Sequence, residues 1–203
     1  MVITYHGRGF LKLTQGETVI AVNPISKESG EKQTRFGADI ALITANHPFY
    51  NGIEAVTYGE REPVTITGPG DYEVQNIFIH GSGVPTTLDK KKYIASSYAV
   101  EMDGMKLSVI GPCTESLEAK DREGLEQADL LFVPIAYLGA AAAYKLAVSL
   151  EPGVIIPIDY DEALLKSFLK EAGAEKGERL EKLVVKKKDL AGKEGDVVVL
   201  TEA

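Results

Sequence analysis

The apolar residues of the first hundred positions fall in short runs, at 2–5, 10–13, 18–22, 40–44, 64–66, 77–80 and 98–102, punctuated by Gly, Pro, Asn and Asp. Runs of this length between turn residues are strands, because a helix needs a longer stretch with a 3.6-residue apolar period. Gln15-Gly16-Glu17 and Gly68-Pro69-Gly70-Asp71 supply turn chemistry. The first half therefore reads as a β-meander.

From residue 106 the pattern changes. A strand at 106–110, a polar helix at 116–127, a buried strand at 130–135, an Ala-rich helix at 140–150 and a strand at 154–158 alternate. Such alternation marks parallel strands joined by helical crossovers. Asp161 is placed to cap a helix at 162–172 whose Leu164, Leu165, Phe168 and Leu169 form one apolar stripe, and Gly173 ends it. Residues 183–187 and 197–200 read as a closing hairpin. With 203 residues, 44% of them hydrophobic, and no internal linker, 1–203 forms one domain with one core.

Composition narrows the function. No apolar run approaches the roughly 20 residues of a membrane-spanning helix, and the opening Met1-Val2-Ile3-Thr4 carries no basic leader. Cys113 is the single cysteine, which excludes an internal disulfide. A cytoplasmic location is the expectation. The net charge is −8, and the acidic surplus lies in residues 1–160, with 20 Asp and Glu against 13 Lys and Arg. Lys90-Lys91-Lys92 and Lys186-Lys187-Lys188 are short clusters in an acidic chain, which argues against nucleic acid as a partner. Gly7-Arg8-Gly9 has Lys12 where a dinucleotide fingerprint needs its third glycine.

A meander followed by a β/α half predicts an α/β (α+β) architecture, two sheets facing each other with helices outside. The chain resembles the metallo-β-lactamase fold in Ile3-Thr4-Tyr5-His6-Gly7, in Asn23-Pro24 where that family has Asp-Pro, and in the strand 38–44. Gly68 to Val74, the strand 128–135 and Val154-Ile155-Ile156-Pro157-Ile158-Asp159-Tyr160 extend the resemblance over nearly the whole length. Small bacterial zinc-dependent hydrolases related to the ascorbate-phosphate lactonases are the branch it is most similar to. The resemblance implies a four-layer αββα sandwich.

It also implies a metal loop, His-x-His-x-Asp-His, in which imidazoles and a carboxylate hold zinc and a zinc-bound water attacks the substrate. That motif falls on Ala45-Asn46-His47-Pro48-Phe49-Tyr50, where His47 alone is retained. The third-motif histidine falls near Leu88, the bridging aspartate on Pro112 and the last histidine on Asp159. Three histidines in the whole chain are too few for the family's usual binuclear site. The expectation is a homologue without a cofactor, non-catalytic, with a binding, regulatory or structural role. Its residual pocket would lie near His47, Tyr50, Cys113 and Asp159, serving an unidentified small ligand or a protein partner. The alternative is a mononuclear zinc hydrolase of an ester, lactone or phosphodiester, with His47, Cys113 and Asp159 as an N/S/O ligand set. Phe49 and Tyr50 in place of polar ligands predict a plugged cavity, and an apolar mouth could serve a homo-oligomer.

Overall fold

The computed structural model describes residues 1–203 apart from Arg61, Ser116 and Glu178. Among the described residues the strands form two main sheets. The first contains β1 (Val2–Tyr5), β2 (Leu11–Gln15), β3 (Thr18–Val22), β4 (Ile40–Leu42) and β5 (Val64–Ile66). The second begins with β6 (Gly70–Val74), β7 (Ile77–Leu88), β8 (Lys91–Met102) and β9 (Met105–Val109). It continues with β10 (Leu130–Pro134), the helix α1 (Ala140–Ser149) and β11 (Val154–Ile158), after which comes α2 (Glu162–Glu171). The short strands β12 (Arg179–Leu180), β13 (Leu183–Val184), β14 (Asp196–Val197) and β15 (Val199–Leu200) complete the chain.

The six-stranded sheet has the order β13-β1-β2-β3-β4-β5 and the seven-stranded sheet β14-β11-β10-β9-β8-β7-β6. Their inner faces carry the alternate apolar positions of each strand and meet in one core, which includes Leu11, Leu13, Ile20, Ile40 and Leu42 from one side and Ile79, Val100, Leu107, Phe132 and Ile156 from the other. Helices α1 and α2 bury Ala143, Leu146, Ala147 and Phe168 on the outer face of the seven-stranded sheet. The outer face of the six-stranded sheet is covered by loop segments, with Ile25, Ala38 and Val56 packed on Phe10, Ala21 and Ala41. The arrangement is the expected sandwich, with one outer layer built of loops and 3-10 turns. Asp161 caps α2 through Leu164 N–H, 2.7 Å from Oδ1, as its sequence position predicts.

Three local expectations are corrected. The first half is not a simple meander: β1, β2 and β3 pair antiparallel, but β3 with β4 and β4 with β5 pair parallel. Among the described residues the connecting loops at 23–39 and 43–63 make the crossovers with no α-helix, only the 3-10 turns Lys27–Ser29 and Ile53–Ala55, so no helical period signals them. The helix at 116–127 starts on Ser116, outside the described residues, and the described remainder holds only a 3-10 turn at Ala119–Asp121. Leu117 and Leu125 are buried, but Lys120, Asp121 and Gly124 stand where a helical stripe between them would need apolar residues. The terminal hairpin is absent too. Leu183–Val184 joins the edge of the first sheet at β1 and Asp196–Val197 the edge of the second at β11, where open sheet edges offer pairing, while Val199–Leu200 pairs with β12 in a separate two-stranded sheet.

Candidate functional site

Two strand ends build the site. After β4 the chain leaves the sheet through Thr44, whose N–H and hydroxyl both donate to Asn23 Oδ1, at 2.9 and 2.8 Å. Asn23 is buried with φ +52°, a left-handed conformation that Asn and Asp tolerate better than other side-chain-bearing residues. A tight turn follows, with His47 N–H donating to Ala45 O and Tyr50 N–H to His47 O, both at 2.8 Å. On the opposite sheet, β11 is followed directly by Asp159, likewise buried and at φ +52°. Its N–H donates to Arg8 O at 2.6 Å, which ties it to the β1–β2 turn.

The Tyr50 ring is 1% exposed, and its hydroxyl donates to Asp159 Oδ2 at 2.6 Å. The Tyr137 hydroxyl lies 3.1 Å from the Tyr50 hydroxyl. Burial raises the Asp159 carboxyl above the ordinary range, and the Tyr50 hydrogen bond, Arg8 and His47 partly offset it. Tyr50 is held well above its usual value by burial and by the neighbouring Asp159 charge, so it stays a neutral donor. Arg8, itself at φ +51°, lays its guanidinium over the Phe49 ring at 4.4 Å and donates to Glu31 Oε1 at 2.6 Å. Its Nη1 is 3.9 Å from Asp159 Oδ1.

His47 is buried and points elsewhere. Phe49 N–H donates to His47 Nδ1 at 3.3 Å, which leaves the ring proton on Nε2, and Nε2 lies 3.0 Å from Asp89 Oδ2 at the tip of the β7–β8 hairpin. The neighbouring Leu88 packs with Ala45 and Tyr50, and Phe49, Tyr93 and Tyr137 close around them. The space between the sheet ends is thus filled by phenols and aliphatic carbon, a plug under the hairpin tip.

Cys113 is not part of this group. It is buried with Ile110, Leu117 and Leu125 under α1, and burial pushes its thiol up to about 11. Among the described residues no group of three or more His, Cys, Asp or Glu side chains is gathered to hold a metal. The proposed ligand set His47, Cys113 and Asp159 is therefore not assembled: the imidazole is turned to Asp89, the thiol belongs to another cluster, and the carboxylate accepts from a phenol. The donor set present does not fit the zinc centre that the fold implies. Tyr50 turns into the plug, and the half-buried Phe49 ring lies beneath Arg8.

Sequence reasoning named Tyr50, His47 and Asp159 but missed Arg8, Asp89, Tyr93 and Tyr137. For Arg8 a signal existed in Gly7-Arg8-Gly9, a turn that presents a cation directly after a strand. Of the lysine clusters, Lys187 is bound to Asp129 at 2.6 Å and Lys90 lies on the hairpin tip. No helix of the described residues is long and apolar enough to cross a membrane.

Comparison with known proteins places the chain in a family. A protein of Thermotoga maritima, described as a zinc-dependent hydrolase of the metallo-beta-lactamase superfamily, superposes with a TM-score of 0.77 and 25% identity over 98% of this chain and 97% of that one. A protein of Parabacteroides distasonis described as a metal-dependent hydrolase gives 0.65 at 20% identity, covering 97% and 91%. A metallo hydrolase of the archaeon Ignicoccus hospitalis gives 0.64 at 16%, covering 100% and 95%. No curated protein matches the chain. Residues 2–159 match the family described as the beta-lactamase superfamily domain, and the chain belongs to that family.

Proposed function

We propose that this chain is a metal-free, non-hydrolytic member of its family that acts by binding. The reading rests on one observation above others: the Tyr50 hydroxyl occupies Asp159 Oδ2 at 2.6 Å, inside a plug completed by Leu88, Ala45 and Tyr137. A metal at Asp159 would have to displace that phenol and find further donors where methyl, isobutyl and phenyl groups stand. Zinc in such a family supplies a polarised water of pKa near ~7, and among the described residues no group of three or more His, Cys, Asp or Glu gathers to hold it.

What remains is a rigid frame, two sheet ends tied by Tyr50 to Asp159 and by Asp159 N–H to Arg8 O, beside an open cleft. A frame of this kind positions a ligand without turning it over. The test is a screen of chromogenic esters, lactones and phosphodiesters with zinc in excess, run on the wild type and on Asp159→Asn. The reading predicts no turnover above background in either protein. Zinc-dependent turnover that Asp159→Asn abolishes would overturn it.

A further inference from the structure

A cleft of about 660 Å³ opens beside Asp159, on the side away from the hairpin tip, and its wall includes Tyr5, Arg8, Tyr160, Arg179 and Glu202. Its volume suits a small molecule. The charges on that wall are unequally committed. Arg8 is spent on Glu31, at 2.6 and 3.1 Å, and Arg179 forks onto Glu162 at 2.8 and 2.9 Å. Asp161 Oδ1 caps α2.

Two carboxylates on the wall keep capacity. Asp159, whose side chain is 2% exposed, gives Oδ2 to Tyr50, while Oδ1 has only Arg8 Nη1 at 3.9 Å, too long for a hydrogen bond. Glu202 bridges to Tyr5 at the strand edge and makes no side-chain hydrogen bond or ion pair among the described residues. Its Cδ comes within 3.0 Å of where a side chain at position 7 would begin, so Gly7, at φ +87°, leaves room for that carboxylate.

Two aromatic rings line the same wall, the half-buried Tyr160 and, packed against it, the buried Tyr5. The Tyr5 and Tyr160 rings are 5.6 Å apart, tilted by 32°. Both phenols are held above their ordinary range, by burial first and then by neighbours that include Glu202, Tyr160 being pushed up to about 12. An anionic ligand would meet two arginines that already have partners and two carboxylate groups, Asp159 Oδ1 and Glu202, that keep acceptor capacity, with Lys32 the remaining Lys or Arg side chain on the wall.

We infer that this cleft binds a small organic cation, an alkylammonium whose charge faces Asp159 Oδ1 and Glu202 and whose carbon atoms lie on Tyr160, backed by the buried Tyr5 ring. Aromatic faces beside acids recognise such cations through the ring quadrupole and the Coulomb attraction together. The inference deepens the binding role above and rests on it in one respect: Asp159 Oδ1 is available only while no metal takes it.

The experiment is isothermal titration of zinc-assayed protein, before and after chelator treatment, with putrescine and choline as cation probes and inorganic phosphate and acetate as anion probes. At least one cation is expected to bind with Kd of about 1 mM or tighter, weakening with added salt. Glu202→Gln, an exposed conservative change, should weaken it by about fivefold or more, and Lys32→Ala should not weaken it. Absence of cation binding up to about 10 mM, unchanged affinity in Glu202→Gln, or phosphate binding in place of the cations would overturn the inference. Cation binding that appears only after zinc is stripped would uphold the cleft assignment and overturn the metal-free reading instead.

Discussion

The Tyr50 hydroxyl donates to Asp159 Oδ2 across 2.6 Å and so joins the loop after β4 to the end of β11, one strand end from each sheet. The bond has a charged acceptor inside the protein, the class of hydrogen bond worth roughly 1.5–3 kcal/mol. Tyr50→Phe keeps the ring and its packing but leaves the buried carboxylate with Arg8 alone. The variant should lose about 2 kcal/mol at neutral pH, read as a fall in the urea midpoint at unchanged slope.

Asp159 also sets a pH dependence. Its native pKa is raised above the unfolded value of about 3.9. Below that value the carboxyl is protonated in both states and burial costs nothing; as pH rises through the native pKa the cost of a buried charge appears, and stability from this group is lost. Asp159→Asn keeps a residue type that tolerates φ +52° and removes the titration. Its stability relative to wild type should therefore rise from pH 4 to pH 7, measured by urea unfolding of both proteins at each pH. A difference that falls with pH would reverse the sign of the assignment.

The hairpin tip carries a local strain that a substitution relieves. Asp89 and Lys90 have φ +46° and +63°, the backbone of a type I′ turn, which Asp-Gly adopts most readily. Lys90→Gly should stabilise the protein by about 0.5–1 kcal/mol, with slower amide exchange at 86–93. Leu88→Ala beneath it removes buried volume from the plug and should cost about 2–4 kcal/mol.

Cys113 should be inert in the folded protein. Its thiol is buried and pushed up to about 11, so little thiolate exists at neutral pH. Labelling with a disulfide reagent is expected to follow global unfolding, accelerating with urea. Rapid labelling in the absence of denaturant would contradict this placement.

The strands were legible because their apolar residues face one core. Leu11 and Leu13 of β2 and Ile77 and Ile79 of β7 alternate with outward residues as the period of two requires. The length of the β7–β8 hairpin was not: Pro85 and Thr86 with the lysines at 91 and 92 look like a loop, yet they pair in register with Ile94, Tyr93, Leu88 and Thr87 respectively. Two-residue terminal strands such as β13 and β14 are decided by the open sheet edges they meet, which leaves no periodicity to read. At the site, the loss of imidazoles from 45–50 was evident from residue types alone. Which further groups surround Tyr50 and Asp159 was not, since Tyr137 and Arg8 reach them from distant loops, and only the closed sandwich brings them together.

The central claim is that the plug at Tyr50 and Asp159 has replaced the family's metal. It is tested most directly by elemental analysis of protein purified without a metal-affinity column, dialysed against zinc and then against buffer, beside a His47→Ala variant. The account predicts zinc far below one per chain in both proteins. About one zinc per wild-type chain, lost in His47→Ala, would contradict it.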